Sequence, residues 1–439
     1  MKAFVLLELM NHMVLVAHEA KQRGHRIIAC NRDALRRSGP FAVDEGLVDE
    51  VVPIESWSDH DEVDRVLTDI ASRYEIAGTY AGFEATLPYE AVMRERAGLP
   101  TNGAATVEAV LDKAALRKTL YAEGLSHLQS VPMSEALTWK SWEFARPAVL
   151  KPAHGTGSAL CFRASSVDAL HRAAELVEAA AVVNPLMREY IVSHGEFVLE
   201  EMAQGELLSV ESLVHRGRVS TVGLMGRYVL ASDPVVEMGL LFPYHHPRYD
   251  DIVATAEALH RSAGIVHGPT HIEVMVPDEG PIELIDFNVR LAGVGSMVLF
   301  SEAFGIPYAA PVTDLACGIE PDLSFVDRPT RFAAEVFVLP PPGTTRLCHV
   351  AFPSGTSCQR MPKELGQRLS GRADQLDHVG FFVVTGDRAS DVHRRALDAR
   401  RETEVNGVPL GDNVNNVVAY SQYLGRDLQP TSSTLRSRT

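Results

Sequence analysis

Long uninterrupted apolar runs are missing from this 439-residue sequence, although 46% of its residues are hydrophobic. A membrane helix needs about 20 consecutive apolar residues, and the opening MKAFVLLELMNHMVLVAHEAK is broken by Glu8, Asn11 and His12. No transmembrane span is therefore expected; the same stretch lacks a small-residue cleavage site, so the expected location is cytoplasmic. Cysteine is scarce and odd in number. Cys30, Cys161, Cys317, Cys348 and Cys358 lack close metal-ligand spacing, which points to reduced, buried thiols rather than a disulfide framework or a catalytic nucleophile. Cations are also in short supply: 41 Lys and Arg stand against 57 Asp and Glu, for a net charge of -16. That balance argues against a broad nucleic-acid surface. Two nucleotide cradles fail to appear where they would be sought. ELMNHM after the first apolar run has no G-x-G-x-x-G, which disfavours a nicotinamide cofactor, and AHGTGSA is not a P-loop.

What is present is an alternation of strand and helix patterns. KAFVLLEL, LVAHEAKQRG and HRIIACN read as strand, helix and strand, followed by the helical DHDEVDRVLTDIASRY and the strand-like IAGTYA. Residues 1–100 are expected to form an α/β domain. TVEAVLDKAALRKTLYAEG reads as one helix ending near Gly124, with Lys113 on it, and RPAVLKP as a strand ending at Lys151. A surface charge is the plain account of Lys113, and a hairpin turn that of the following glycines. Together with Lys151, however, the glycines would let a loop bring backbone N–H groups to phosphate. FVLEEM reads as a strand; charges such as Glu200 and Glu201 commonly protect a sheet edge. ASDPVVEMGLLFPYHHPRYD reads as a long loop-rich connection whose Glu237, Gly239, Pro243, His245 and His246 would line a substrate mouth. Its adjacent histidines make a poor zinc signature. RPTRFAAEVFVLPPPG opens a strand-rich region with a surface helix at SDVHRRALDARRETEV, and QPTSSTLRSRT has little to bury. The expected division is 1–100, a central region 101–320, a C-terminal α+β lobe 321–427 and a mobile tail 428–439.

The stretch HIEVMVPDEGPIELIDFNVRLAG, residues 271–293, carries the strongest chemistry. It reads as two strands around a PDEG turn. Asp286 and Asn288, two apart on the second strand, share a face, and pairing would bring Glu273 to the same side. Three oxygen donors suit a hard cation such as magnesium, and Arg290 would place a guanidinium beside it. Acids at the end of a hairpin are often merely solvated, so the rest of the chain must supply the partner.

The ordered combination of LDKAALRKTLYAEGL, VLKPAHGTGSA, FVLEEMAQGELLSVESLV, VVEMGLLFP and this hairpin resembles the ATP-grasp superfamily, in particular carboxylate–amine ligases of the bacterial L-amino acid ligase kind. The resemblance spans the middle half of the chain. It implies a mixed α/β and α+β ATP-grasp fold with an N-terminal α/β domain, a central two-lobed ATP-binding region and a C-terminal strand-rich lobe. It implies ATP held by Lys113, Lys151 and the loop His154, Gly155, Thr156, Gly157 and Ser158, with adenine at Glu200, Glu201 and Met202 and ribose at Glu206. Two Mg²⁺ ions, replaceable by Mn²⁺, would sit on Glu273, Asp286 and Asn288. The catalytic group would be Arg290, Lys151, Glu273 and Asp286. Glu211, Glu237, Gly239, Arg290, Ser296 and Met297 would lie on the substrate side, where Tyr244, His245 and His246 would also shape the cavity.

The sequence departs from the family's E-I-N-P-R pattern: it reads Asp286-Phe287-Asn288-Val289-Arg290, a shorter carboxylate without the rigid proline. A lysine of the family is also missing near Gly226 and Arg227, which leaves Arg227 as the candidate on the triphosphate side. The implied reaction joins an amino acid or related carboxylate to an amine through an acyl phosphate, releasing ADP and phosphate. The alternatives are ligation of a non-amino-acid carboxylate, carboxyphosphate-dependent carboxylation, or a non-catalytic nucleotide-binding scaffold. Small-molecule carboxylate and amine substrates, no nucleic-acid or membrane partner, and a homodimer complete the expectations.

Overall fold

The computed structural model describes residues 2–32, 43–179, 190–191, 194–293, 295–361, 363–371, 377–411, 417–419 and 421–427. The expected tail, 428–439, lies outside these. Four parallel strands, β1 (Ala3–Leu7), β2 (Arg26–Asn31), β3 (Glu50–Pro53) and β4 (Ile76–Ala81), form a sheet in the order β3-β2-β1-β4. Every residue of AFVLL in β1 is buried because helices cover both faces of a parallel sheet. The helix Met13–Gln22 turns its apolar side onto the helix Ala309–Ala316. The carboxyl ends of β1 and β4 therefore open toward the rest of the chain, the side on which α/β sheets bind ligands.

A second, antiparallel sheet contains β5 (Ser130–Pro132), β6 (Ala148–Pro152), β7 (Phe162–Ala164) and β8 (Phe197–Glu201), in the order β5-β8-β6-β7. Its apolar face packs against the helix Val167–Ala179 through Leu150, Leu170, Ala173 and Leu199. Among the described residues the largest sheet has nine strands. Its path runs β13 (Glu283–Asn288), β12 (Gly268–Val276), β9 (Glu206–His215), β10 (Arg218–Leu230), β11 (Asp233–Phe242), β14 (Phe332–Val338), β17 (Gly380–Gly386) and β16 (Cys358–Arg360). The ninth strand, β20 (Val417–Ala419), pairs with β10. A small sheet of β15 (Val350–Ala351), β18 (Glu404–Val405) and β19 (Val408–Pro409) flanks it. The architecture is thus the expected mixture of α/β and α+β lobes.

Two local readings of the sequence change. TVEAVLDKAALRKTLYAEG is two helices, Ala104–Leu111 and Lys113–Ala122, because the Asp112 carboxylate caps the second by accepting from the Ala114 and Ala115 N–H groups at 3.0 Å. DPVVEMGLLF is a strand instead of a loop. Gly239 has φ +149°, and a Cβ there would sit 2.3 Å from the Glu335 carbonyl oxygen, so the glycine permits the close approach of β14 that keeps the segment in the sheet. Among the described residues no helix is long and apolar enough to cross a membrane.

Candidate active site

The residues 271–293 form the anticipated hairpin. β12 and β13 are antiparallel, with His271 opposite Asn288 and Glu273 opposite Asp286, so the two carboxylates meet on one face. Each is neutralised by a cation from elsewhere. The Lys113 ammonium lies 2.5 Å from Asp286, and an Arg227 N–H donates to Glu273 at 2.7 Å. Asn288 donates to Asp286 at 3.3 Å and its carbonyl oxygen accepts from Arg290 at 3.2 Å. Among the described residues no cluster of three His, Cys, Asp or Glu side chains is shaped to hold a metal. Two carboxylates and one amide oxygen nevertheless suit a magnesium ion that takes its remaining ligands from water and phosphate.

Lys113 is placed by backbone as well as by charge. It opens the helix capped by Asp112, and its N–H donates to the Ala153 carbonyl at 3.0 Å, just beyond the end of β6. Lys151 comes from that same strand. Val149 of β6 stands opposite Glu200 of β8, so Lys151, two residues on, reaches Glu200 diagonally at 2.7 Å. The same carboxylate accepts from Arg117 at 2.9 and 3.1 Å. Burial acts to raise the Glu200 pKa, but Arg117 and Lys151 outweigh it and hold the carboxyl down at about 2. For Lys113, burial acts to lower the pKa, but Asp286 outweighs it and the ammonium is held above its ordinary value.

Two adjoining cavities meet at this hairpin. One, about 290 Å³, is lined by Lys113, Lys151, Glu273 and Asp286 and by the apolar side chains of Val149, Met202, Leu207, Met275 and Ile285. Apolar walls together with two ammonium groups fit a flat base with a polyphosphate. The loop Gly155–Ser158 lies over both cavities. Gly157 has φ +60° and Ser158 φ +52°, left-handed conformations that turn the chain sharply there. The Thr156 hydroxyl accepts from Arg290 at 3.3 Å, tying the loop to the hairpin.

The second cavity, about 390 Å³, lies between the hairpin, the carboxyl ends of β1 and β4, and the strands β11, β14 and β17. Arg290 and Glu84 form an ion pair across it; the Arg290 Nε–H donates to Glu84 at 2.7 Å. Arg227 also pairs with Glu237, which lines this cavity. Burial raises the Glu237 pKa, partly opposed by Arg227. His271 sits behind, its Nδ1 2.5 Å from Glu211 and its Nε2 3.2 Å from Glu273. Burial acts to lower its pKa, but the two carboxylates outweigh this and lift it to about 9.

The sequence-derived residues are thus distributed unevenly. Lys113, Lys151, Gly155, Thr156, Gly157, Ser158, Glu200, Glu201, Met202, Glu273 and Asp286 line the first cavity; Glu237, Asn288 and Arg290 line the second. His154 stacks on His194 with ring centroids 4.0 Å apart. Glu201 accepts from the Gln129 N–H at 3.2 Å. Glu206 sits in a buried network, accepting from the Tyr244 hydroxyl at 2.9 Å and facing His246. Glu211 is 1% exposed and engaged by His271. Ser296 donates to the Ala292 carbonyl at 2.8 Å, and Met297 belongs to the hydrophobic core. Gly239 is taken up by the approach of β14 described above. His12 and Glu84 also line the second cavity and were not marked in the sequence. Both follow the carboxyl ends of parallel strands, and that position is the signal that could have found them.

Residues 144–298 match the ATP-grasp domain family. No curated protein sequence matches the chain. Among solved structures, the L-amino acid ligase from Bacillus licheniformis superposes with a TM-score of 0.73 at 18% identity, covering 92% of this chain and 98% of that one. Phosphoribosylglycinamide synthetase from Anaerococcus prevotii gives 0.66 at 15%, with 92% and 99% covered. The biotin carboxylase domain of the Hydrogenobacter thermophilus 2-oxoglutarate carboxylase gives 0.67 at 13%, with 93% and 91% covered. At these identities the superpositions speak for the fold. The lysine pair, the glycine loop and the acidic hairpin gather at one cleft, most of it built from residues 144–298, the part of the chain that is similar to the ATP-grasp domain family.

Proposed function

We propose that this protein is an ATP-dependent ligase that activates a carboxylate as an acyl phosphate and passes the acyl group to an amine. The observation that carries this reading is the convergence of Lys113, Lys151, Glu273, Asp286 and Arg290 where the two cavities adjoin. A substrate carboxylate oxygen attacks the γ-phosphorus of ATP and ADP departs; the amine nitrogen then attacks the acyl carbon, and phosphate leaves with the bond electrons and takes up the proton that the nitrogen sheds. Such transfer depends on positioning and charge neutralisation more than on a covalent nucleophile. Lys113 and Lys151 neutralise phosphate oxygens, exchanging Asp286 and Glu200 for the nucleotide. Arg290 orients the substrate carboxylate and offsets charge on the transferring group. Magnesium held by Glu273, Asp286 and Asn288 would neutralise further phosphate charge. The loop Gly155–Ser158 covers the junction and excludes water that would hydrolyse the intermediate.

A second reading keeps the same phosphoryl chemistry with bicarbonate as the carboxylate, giving carboxyphosphate. Superposition on biotin carboxylases, including that of Campylobacter jejuni at TM-score 0.63 and 14% identity, favours it. The N5-carboxyaminoimidazole ribonucleotide synthetase of Thermotoga maritima, at 0.62 and 15%, adds to it. ADP release measured with paired amino acids and, separately, with bicarbonate decides between them: an amide of matching mass supports the ligase, and bicarbonate-dependent turnover without an amide overturns it. In either reaction Asp286→Ala is expected to abolish metal-dependent ADP release while leaving the far-ultraviolet circular dichroism unchanged. Unaltered turnover would remove Asp286 from the site.

A further inference from the structure

The second cavity is lined by charged and by apolar side chains. Arg290, Glu84, Arg227 and Glu237 are among the charged ones, and Leu240, Phe337 and Phe381 among the apolar ones. Phe337 and Phe381 stand directly opposite each other across β14 and β17, so both rings leave the same face of the sheet. Leu240 faces Glu335, two residues before Phe337, and so extends that wall onto β11. The His378 imidazole lies against Phe337 with ring centroids 5.0 Å apart and planes at 31°. Burial pushes the His378 pKa down to about 3, so this imidazole carries no charge at neutral pH. Phosphoryl transfer uses none of these side chains, and bicarbonate has no group to fill the space they bound.

We propose that the Phe337–Phe381 wall is the side-chain pocket of the carboxylate substrate, and that this substrate is an α-amino acid with an aromatic side chain. The proposal rests on the ligase reading above. With the carboxylate at Arg290, the α-ammonium lies within the acidic pair Glu84 and Glu237, and the side chain extends onto the wall. Aromatic rings meet edge-on or offset at centroid separations of about 4.5–7 Å, and cross-strand phenylalanines offer such a surface.

Hydroxylamine as the amine traps the activated acid as a hydroxamate, which separates activation from the choice of natural amine. Hydroxamate formation with MgATP is measured for L-phenylalanine, L-tyrosine, L-alanine, L-glutamate and L-lysine. The aromatic acids are expected to exceed L-alanine in kcat/KM by about tenfold or more. Phe337→Ala is expected to raise the KM for L-phenylalanine about tenfold with the KM for ATP unchanged, and Phe337→Tyr to restore it. Phe381 is 1% exposed, so Phe381→Leu, the milder change, serves as the second variant and is checked by thermal melting. A preference for L-alanine, L-glutamate or L-lysine, or an unchanged KM in both variants, overturns the pocket while the ligase reading stands. Hydroxamate from none of the five acids overturns the proposal, and bicarbonate-dependent ADP release in that same experiment removes the ligase reading with it.

Discussion

At Glu200 one carboxylate holds two cations, Arg117 and Lys151, at a position only 4% exposed. Breaking a buried pair by removing one partner leaves uncompensated charge and costs about 3–5 kcal/mol. Glu200→Ala is expected to lose stability of that order in urea denaturation. Its acid dependence has a definite sign. The folded pKa, about 2, lies below the ordinary 4.5, so the stabilisation is present above pH 4.5 and is lost as pH falls toward 2. Glu200→Gln should remove this slope between pH 4.5 and 2. A second residue-scale expectation concerns Arg290. Arg290→Ala is expected to reduce acyl-phosphate formation by about a hundredfold or more, read as hydroxamate yield at saturating ATP. It also leaves Glu84 buried without its cation. In sequence Lys151 and Arg290 were legible as candidate site residues, because each follows an apolar strand at a recognisable motif. The partners Arg117 and Glu84 were not, because nothing in local spacing says which distant charge completes a buried pair.

At the scale of elements, the helix Lys113–Ala122 delivers Lys113 to the hairpin, and its direction depends on the cap at Asp112. Replacing an N-cap Asp by Ala costs about 1 kcal/mol. Asp112→Ala is accordingly expected to lower stability modestly and to raise the KM for ATP, since Lys113 would lose its fixed starting point. A stability loss with an unchanged KM would show that the Lys113–Ala153 backbone bond suffices for placement. The seam between β11 and β14 depends on Gly239, where a Cβ would lie 2.3 Å from a backbone carbonyl. Backbone cannot swing aside as a side-chain tip can, so Gly239→Ala is expected to cost about 3 kcal/mol or more, measured by chemical denaturation. Periodicity located the helices, but it merged two of them. An apolar face continues through Asp112, and the cap competes only once the aspartate side chain turns back on the backbone. The strand β11 was hidden for the opposite reason: Pro234 and Gly239 are loop signals in sequence, and their cost is met by pairing on both sides in the sheet.

On the scale of the whole molecule, the cleft is drawn from far-separated stretches: the carboxyl ends of β1 and β4, the loop Gly155–Ser158, the hairpin β12–β13 and the wall on β14 and β17. A ligand bound there bridges all of them, and binding to the folded form alone stabilises it by about 2.7 kcal/mol at a hundredfold excess over Kd. MgATP is expected to raise the thermal midpoint, and Lys113→Ala to reduce that increase, because the variant removes a cation lining the cavity proposed for the nucleotide. An identical increase in wild type and variant would place the nucleotide elsewhere. The acidic hairpin also bears on this test. With Lys113 and Arg227 already on Asp286 and Glu273, magnesium without nucleotide should stabilise far less than the two together.

The amino-acid sequence by itself determined the alternation of strands and helices and the His271–Gly293 hairpin, and it marked the two lysines, the glycine loop and the trio Glu273, Asp286 and Asn288 as candidates. These are local properties: side-chain periodicity, turn chemistry and short motif spacing. Tertiary structure alone decided that Glu200 serves Arg117 and Lys151, that Glu211 is taken by His271, that Gly239 serves the close approach of two strands, and that Ser296 and Met297 are packed away. It also decided which C-terminal side chains face the second cavity. Pairing of charges and closure of a cavity depend on which distant segments share a neighbourhood, and that is set by the packing of whole sheets.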